Sequence, residues 1–158
     1  MKRLAIIFLT AAAAAPALAD DVPFAEPFQK ANAAPGGLAD LMMMTQWRHI
    51  KTWYAIKRKN WDLLDYELGK LADTIERAAM LYQNIPVEFI EGAVKPLNAM
   101  RKAISEKNIA KVEIGFADLT AACNACHRAA QIGFVTIQTP TSLPFSDQKF
   151  LPPQQSVK

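Results

Sequence analysis

The stretch NIAKVEIGFADLTAACNACHRAA, Asn108 to Ala130, decides the fold. Its apolar positions Ile109, Val112, Phe116, Leu119, Cys123, Cys126 and Ala130 advance by alternating steps of three and four residues. That spacing returns each of them to one face of a helix and is the pattern of side chains packed into the holes of a neighbouring helix. Asn108 stands where an N-cap belongs, because its side-chain oxygen can take a free N–H of the first turn. Both cysteines fall on the inward seam, so whatever they hold lies inside a bundle and not on a surface loop.

Working outward, the same alternation recurs at Trp61, Leu64, Leu68, Leu71, Ile75, Ala78 and Tyr82, behind a second capping candidate, Asn60. Asp62, Asp65 and Glu67 fall in its early turns, where carboxylates face the positive end of the helix dipole. A first pattern runs from about Leu38 to Lys57 with Leu38, Leu41, Met42, His49, Trp53 and Ile56 along one face, and closes on Lys57-Arg58-Lys59. A third runs from near Pro86 to about Lys107, with Phe89, Ile90, Ala93, Leu97, Met100 and Ile104 inward and Pro96 expected to bend it. Gly92 and Gly115 sit inside helical patterns at a cost in propensity that a close approach would explain, as would simple tolerance. No segment alternates as a strand. The expectation is an all-α protein, an antiparallel up-down four-helix bundle over residues 38–131.

Two flanks complete the chain. Residues 1–19 read as a secretory leader: Met1-Lys2-Arg3, an apolar core from Leu4 to Ala15, and Ala17-Leu18-Ala19 as the small-residue cleavage site. The core is too short to span a bilayer, so the expected product is periplasmic and not membrane-spanning after cleavage. Of 158 residues, 18 are Lys or Arg and 15 Asp or Glu. Without Lys2 and Arg3 the net charge falls to about +1, which excludes a nucleic-acid reading, since phosphate neutralisation needs a surplus of cations on one face. Residues 20–37, rich in Ala and Pro, form a lead-in arm. Residues 132–158 form an extended Pro-rich tail in which Phe134, Val135, Ile137, Phe145, Phe150 and Leu151 lie among Pro140, Pro144, Pro152 and Pro153. Those anchors point to an arm lying over the bundle, or to a segment that docks a partner.

The cysteines are the only two in the chain, Cys123 and Cys126, within Cys123-Asn124-Ala125-Cys126-His127. Thiols three residues apart cannot staple a distant loop. C-x-x-C-H is the attachment pattern of c-type haem: two thiols on one helical face can join the two vinyl groups along one porphyrin edge, while the next residue offers its imidazole to the iron. Cys123 and Cys126 are thus candidate haem thioethers and His127 the candidate proximal iron ligand, with one covalent haem c as cofactor. A thioredoxin-like pair would want a βαβ pattern beside it, and a closed zinc site needs four donors where only one further histidine exists.

A bundle whose last helix carries this motif resembles the cytochrome c′ class of monohaem cytochromes, over about Leu38 to Gln131. The run Gln46-Trp47-Arg48-His49-Ile50-Lys51-Thr52-Trp53 with Asn60-Trp61 also resembles a group of exported cytochrome c proteins. The tail from Gly133 to Lys158 is longer than that class has, and its small basic residues after the motif are not reproduced beyond Arg128. The resemblance implies a residue facing the open side of the haem roughly three turns into the first helix, and about 11 residues from Leu38 reach His49. It also makes a homodimer an expected state.

The sixth ligand decides the function. A strong second ligand closes the iron as an electron carrier, whereas an open side admits small gases. The candidate is His49; the alternatives are the Met42 to Met44 run, with Met42 one heptad from His49 and Met44 pointing elsewhere, or no protein ligand at all. Arg48 and Lys51 flank His49 as candidate partners for haem propionates, against the plain reading of a solvated charged face. The favoured function is an exported monohaem one-electron carrier serving redox protein partners, and not an enzyme. The alternatives are a five-coordinate haem protein that binds NO or CO for sensing or sequestration, and a haem-bearing subunit of a membrane complex docked through its tail.

Overall fold

The computed structural model describes residues 36–153. The expected leader at 1–19, residues 20–35 of the arm and residues 154–158 of the tail lie outside the described residues. Four helices follow one another: α1 (Leu38–Lys57), α2 (Trp61–Leu81), α3 (Val87–Ser105) and α4 (Ile109–Ala129). Among the described residues there is no strand. The protein is all-α, a four-helix bundle.

The joints explain the antiparallel course. Lys59 and Lys107 take left-handed φ values of 50° and 52°. At the first joint the Lys59 N–H donates to the Ile56 carbonyl at 2.9 Å and the Asn60 N–H to that of Ala55 at 3.0 Å. At the second, Lys107 donates to Ile104 at 3.0 Å and Asn108 to Ala103 at 2.9 Å. This paired closure satisfies the last carbonyls of a helix and turns the chain back. The asparagine that follows then caps the next helix: Asn60 Oδ1 accepts from the Leu63 N–H at 3.2 Å and Asn108 Oδ1 from that of Lys111 at 3.1 Å. Joints this short leave successive helices no arrangement but antiparallel neighbours.

Packing divides along the bundle. The main core gathers Ile56, Leu64, Leu68, Leu71, Leu97, Met100, Ile104, Val112, Phe116 and Leu119, with Trp53 stacked on Phe116 at 5.1 Å between ring centres. A second cluster joins Leu38 at the start of α1, Ala78 near the end of α2 and Ala130 just past α4, with Ile85 and Phe89 packed on them. One bundle end therefore collects the start of α1 and α3 and the finish of α2 and α4. Of the neighbouring pairs, α1 and α4 come together least.

Glycine resolves differently at its two helical positions. A Cβ on Gly115 would sit 2.5 Å from Met100 Cγ and 3.5 Å from the Pro96 carbonyl oxygen, so α3 and α4 approach closely there. Gly92 meets nothing within 4 Å, and simple tolerance suffices. The inward face of α1 is more polar than its spacing suggests, for Thr45, His49 and Thr52 are buried beside Ala55 and Ile56. Glu67, only 1% exposed, turns inward from α2 to meet Arg48 at 2.8 Å.

Beyond α4 the chain turns at Gln131, φ 58°, and runs back along the outside of α1. Phe145 packs edge-on to Trp47 at 5.9 Å, with Lys51 Nζ 4.7 Å from its ring centre. Phe150 meets Tyr54 at 6.1 Å, and its carbonyl accepts from Asn60 Nδ2 at 3.1 Å. Trp47, Lys51 and Tyr54 lie four and three residues apart, a stripe on one face of α1. Among the described residues no helix is long and apolar enough to cross a membrane.

Candidate functional site

At the bundle end where α1 begins and α4 finishes, a cavity of about 430 Å³ opens among all four helices and the tail. It lies within the range that holds organic ligands. Leu38, Met42, Met43 and His49 face it from α1, Ile75 and Ala78 from α2, and Phe89, Ile90 and Ala93 from α3. Cys123, Cys126 and His127 face it from α4, and Ile132, Phe134, Val135 and Ile137 close it from the tail. The wall is almost wholly apolar; its polar exceptions, apart from the thiols, are the two imidazoles, Thr45 and Gln46.

The α4 seam sets the thiols. Cys123 and Cys126, one helical turn apart, are free and partly buried. Burial pushes both thiols up, to about 11, and the neighbouring Cys126 adds to the push on Cys123. They are therefore protonated at neutral pH. Among the described residues no three His, Cys, Asp or Glu side chains converge as a ligand set for an ion. Two thiols and one imidazole spread along a helix edge suit a flat, apolar group better than a closed ion site.

His127 is 8% exposed, and its Nδ1 lies 2.6 Å from the Val135 carbonyl oxygen. A carbonyl only accepts, so Nδ1 carries the proton and Nε2 keeps the lone pair. No described residue takes that Nε2. A ring held by a carbonyl on one nitrogen and open at the other is the usual state of a metal-binding imidazole. The residues present thus fit a haem: two thiols on one face, an oriented imidazole beside them, and an apolar chamber.

His49 is in a different state. It is 3% exposed, lies 4.3 Å from the Phe116 ring centre, and its Nε2 is 2.8 Å from Thr120 Oγ1. The Thr120 hydroxyl donates to the Phe116 carbonyl at 2.9 Å, so it accepts from His49, and Nε2 bears that proton. Burial lowers the imidazole to about 4, which keeps it neutral. The contact also fixes the level of α1 against α4. From Thr120, seven residues towards the chain end reach His127; from His49, seven residues towards the chain start reach Met42. Each step is about 10 Å along its axis, with little change of face. Because the helices are antiparallel, Met42 stands level with His127.

The other candidates are spread more widely. Met43 joins the wall at 49% exposure, whereas Met44, 42% exposed, lies outside it. Arg48 and Lys51 are also outside the wall: Arg48 pairs with Glu67, and Lys51 sits over Phe145. Three contacts that carry the geometry, made by Thr120, the Val135 carbonyl and Asn124, were not expected from sequence. Thr120 was legible as a seam neighbour seven residues before His127. Val135 contributes only its backbone carbonyl, which no side-chain pattern reveals. Asn124, inside the motif, holds Ile137 through both amide atoms at 2.8 Å. Comparison of the chain with protein-family models, with curated proteins and with solved structures returned no match.

Proposed function

We propose that the chain is an exported, periplasmic monohaem c-type cytochrome that passes single electrons between redox protein partners, without enzymatic turnover of its own. The observation that carries this is the pairing of two cavity-facing thiols with His127, whose Nδ1 is held by the Val135 carbonyl while Nε2 stays open. Cys123 and Cys126 would hold the haem as thioethers, the sulfur and hydrogen of each thiol being taken up across one vinyl double bond with no leaving group. Bound in this way, the haem supplies an iron that cycles between two oxidation states. The protein's own part is to exclude water with an apolar wall and to aim the His127 nitrogen.

Among the sixth-ligand candidates, the register favours Met42. It lines the cavity level with His127, whereas His49 lies about 10 Å deeper with Nε2 committed to Thr120. Met42 and His127 would together hold the iron as a thioether and an imidazole, a ligand set that serves electron transfer and raises the potential. The test is the visible spectrum of the reduced protein with and without carbon monoxide. Sharp bands unmoved by the gas are expected for the native chain and for His49→Gln, and a gas-sensitive spectrum for Met42→Ala. A native spectrum that shifts with the gas would instead support the second reading, a five-coordinate binder of NO or CO, which the apolar distal wall would suit. Loss of the six-coordinate spectrum in His49→Gln alone would return the ligand to His49.

A further inference from the structure

The described tail makes two kinds of contact that packing alone does not require. Asn124 lies between the two cysteines, a position with no part in thioether formation. Its Nδ2 donates to the Ile137 carbonyl and its Oδ1 accepts from the Ile137 N–H, both at 2.8 Å. The amide thus pairs with one residue of extended chain as a neighbouring strand would. Two residues upstream, the Val135 carbonyl meets His127 Nδ1 at 2.6 Å. At the other end Phe150 is 5% exposed and tied by its carbonyl to Asn60, the residue that also caps α2.

We infer that residues 133–150 form a proximal strap: Asn124 clips the extended chain so that the Val135 carbonyl polarises and aims the His127 ring, and Phe150 anchors the strap's far end. The inference rests on the haem reading above. A carbonyl held on Nδ1–H draws its proton outward and makes Nε2 a stronger donor. A stronger donor favours the more highly charged, oxidised iron, so the strap lowers the reduction potential. Asn124, Val135 and Phe150 are positioning residues, since none of them reaches the iron. The clip acts at the ring while the Phe150 anchor only limits how far the strap can lift, so losing the clip has the larger effect.

The experiment uses the full chain matured with haem, as native protein, Asn124→Ala and Phe150→Ala. Covalent haem is first verified by its retention on denaturation. Two quantities are then measured: the iron–histidine stretching frequency of the ferrous carbon monoxide photoproduct by resonance Raman, for which each chain also carries Met42→Ala to admit the gas, and, in the chains with Met42 intact, the oxidised-to-reduced ratio against a fixed reference couple. Asn124→Ala is expected to lower the stretching frequency and to cut the oxidised-to-reduced ratio about tenfold, the scale of outer-shell effects on metal sites. Phe150→Ala should move both quantities the same way by less. Haem-loaded Asn124→Ala with native frequency and ratio overturns the strap. If Asn124→Ala yields no holoprotein, Phe150→Ala decides alone, and native values there overturn it. Native protein without covalent haem overturns the haem reading itself, a distinguishable failure.

Discussion

Acid should destabilise this fold through one side chain, His49. Its imidazole is 3% exposed, and burial lowers it from 6.5 to about 4. Between those values the unfolded chain holds a proton that the folded chain excludes, so stability rises with pH and falls as the solution is acidified. The effect is nearly absent above the unfolded value and develops as pH drops towards the folded one. Linkage gives a loss of about 2 kcal/mol by pH 5 and about 3 kcal/mol by pH 4 relative to pH 7. That is a large share of the ~5–15 kcal/mol that holds a domain together. His49→Gln isolates the term, because an amide can still donate to Thr120 but does not titrate. The assay is urea unfolding at pH 7, 5 and 4 for both proteins. The native protein should lose about 2 kcal/mol more than the variant by pH 5. Equal losses would overturn this prediction and mean that the imidazole ionises inside the fold without penalty.

Other consequences follow from single positions. Gly115→Ala should cost about 1–3 kcal/mol, because the added carbon meets Met100 and the Pro96 carbonyl, while Gly92→Ala, exposed and with nothing within 4 Å, should gain up to about 1 kcal/mol; urea midpoints give both signs. Thr52 Oγ1 is buried with no hydrogen-bond partner, so Thr52→Val should raise stability by about 1 kcal/mol, read as a higher Tm. In chain produced without haem attachment, the two thiols at about 11 should alkylate at pH 8 roughly a hundredfold more slowly folded than unfolded in urea. Equal rates would show that the cysteines are not held in the apolar wall.

The fold was readable because its signals are local and repeated. The seams through Leu64–Leu68–Leu71–Ile75 and Val112–Phe116–Leu119 obey one period, and Asn60 and Asn108 cap where side-chain chemistry says they should. The polar part of α1 was not readable in that way. Thr45 and Thr52 are buried by what faces them across the bundle, and an amphipathic count treats them as surface, whereas His49 fell on the inward face by its spacing. At the site, the motif singled out Cys123, Cys126 and His127 by their spacing, and the fold brings all three to one cavity wall. The level of Met42 against His127 depends on the His49–Thr120 contact, which joins residues 71 apart in sequence. The Val135 carbonyl was hidden for a simpler reason, that every residue has one and only the path of the tail selects it.

Everything proposed for this site depends on whether Cys123 and Cys126 carry a covalent haem. The most direct test is the intact mass of the denatured protein, produced by export in cells equipped for c-type cytochrome maturation, beside a Cys123→Ala, Cys126→Ala double variant. The native mass should be raised by one haem, with no free thiol left to alkylate, and that of the variant should not be raised. A native chain with the mass of bare polypeptide and two alkylatable thiols would contradict it.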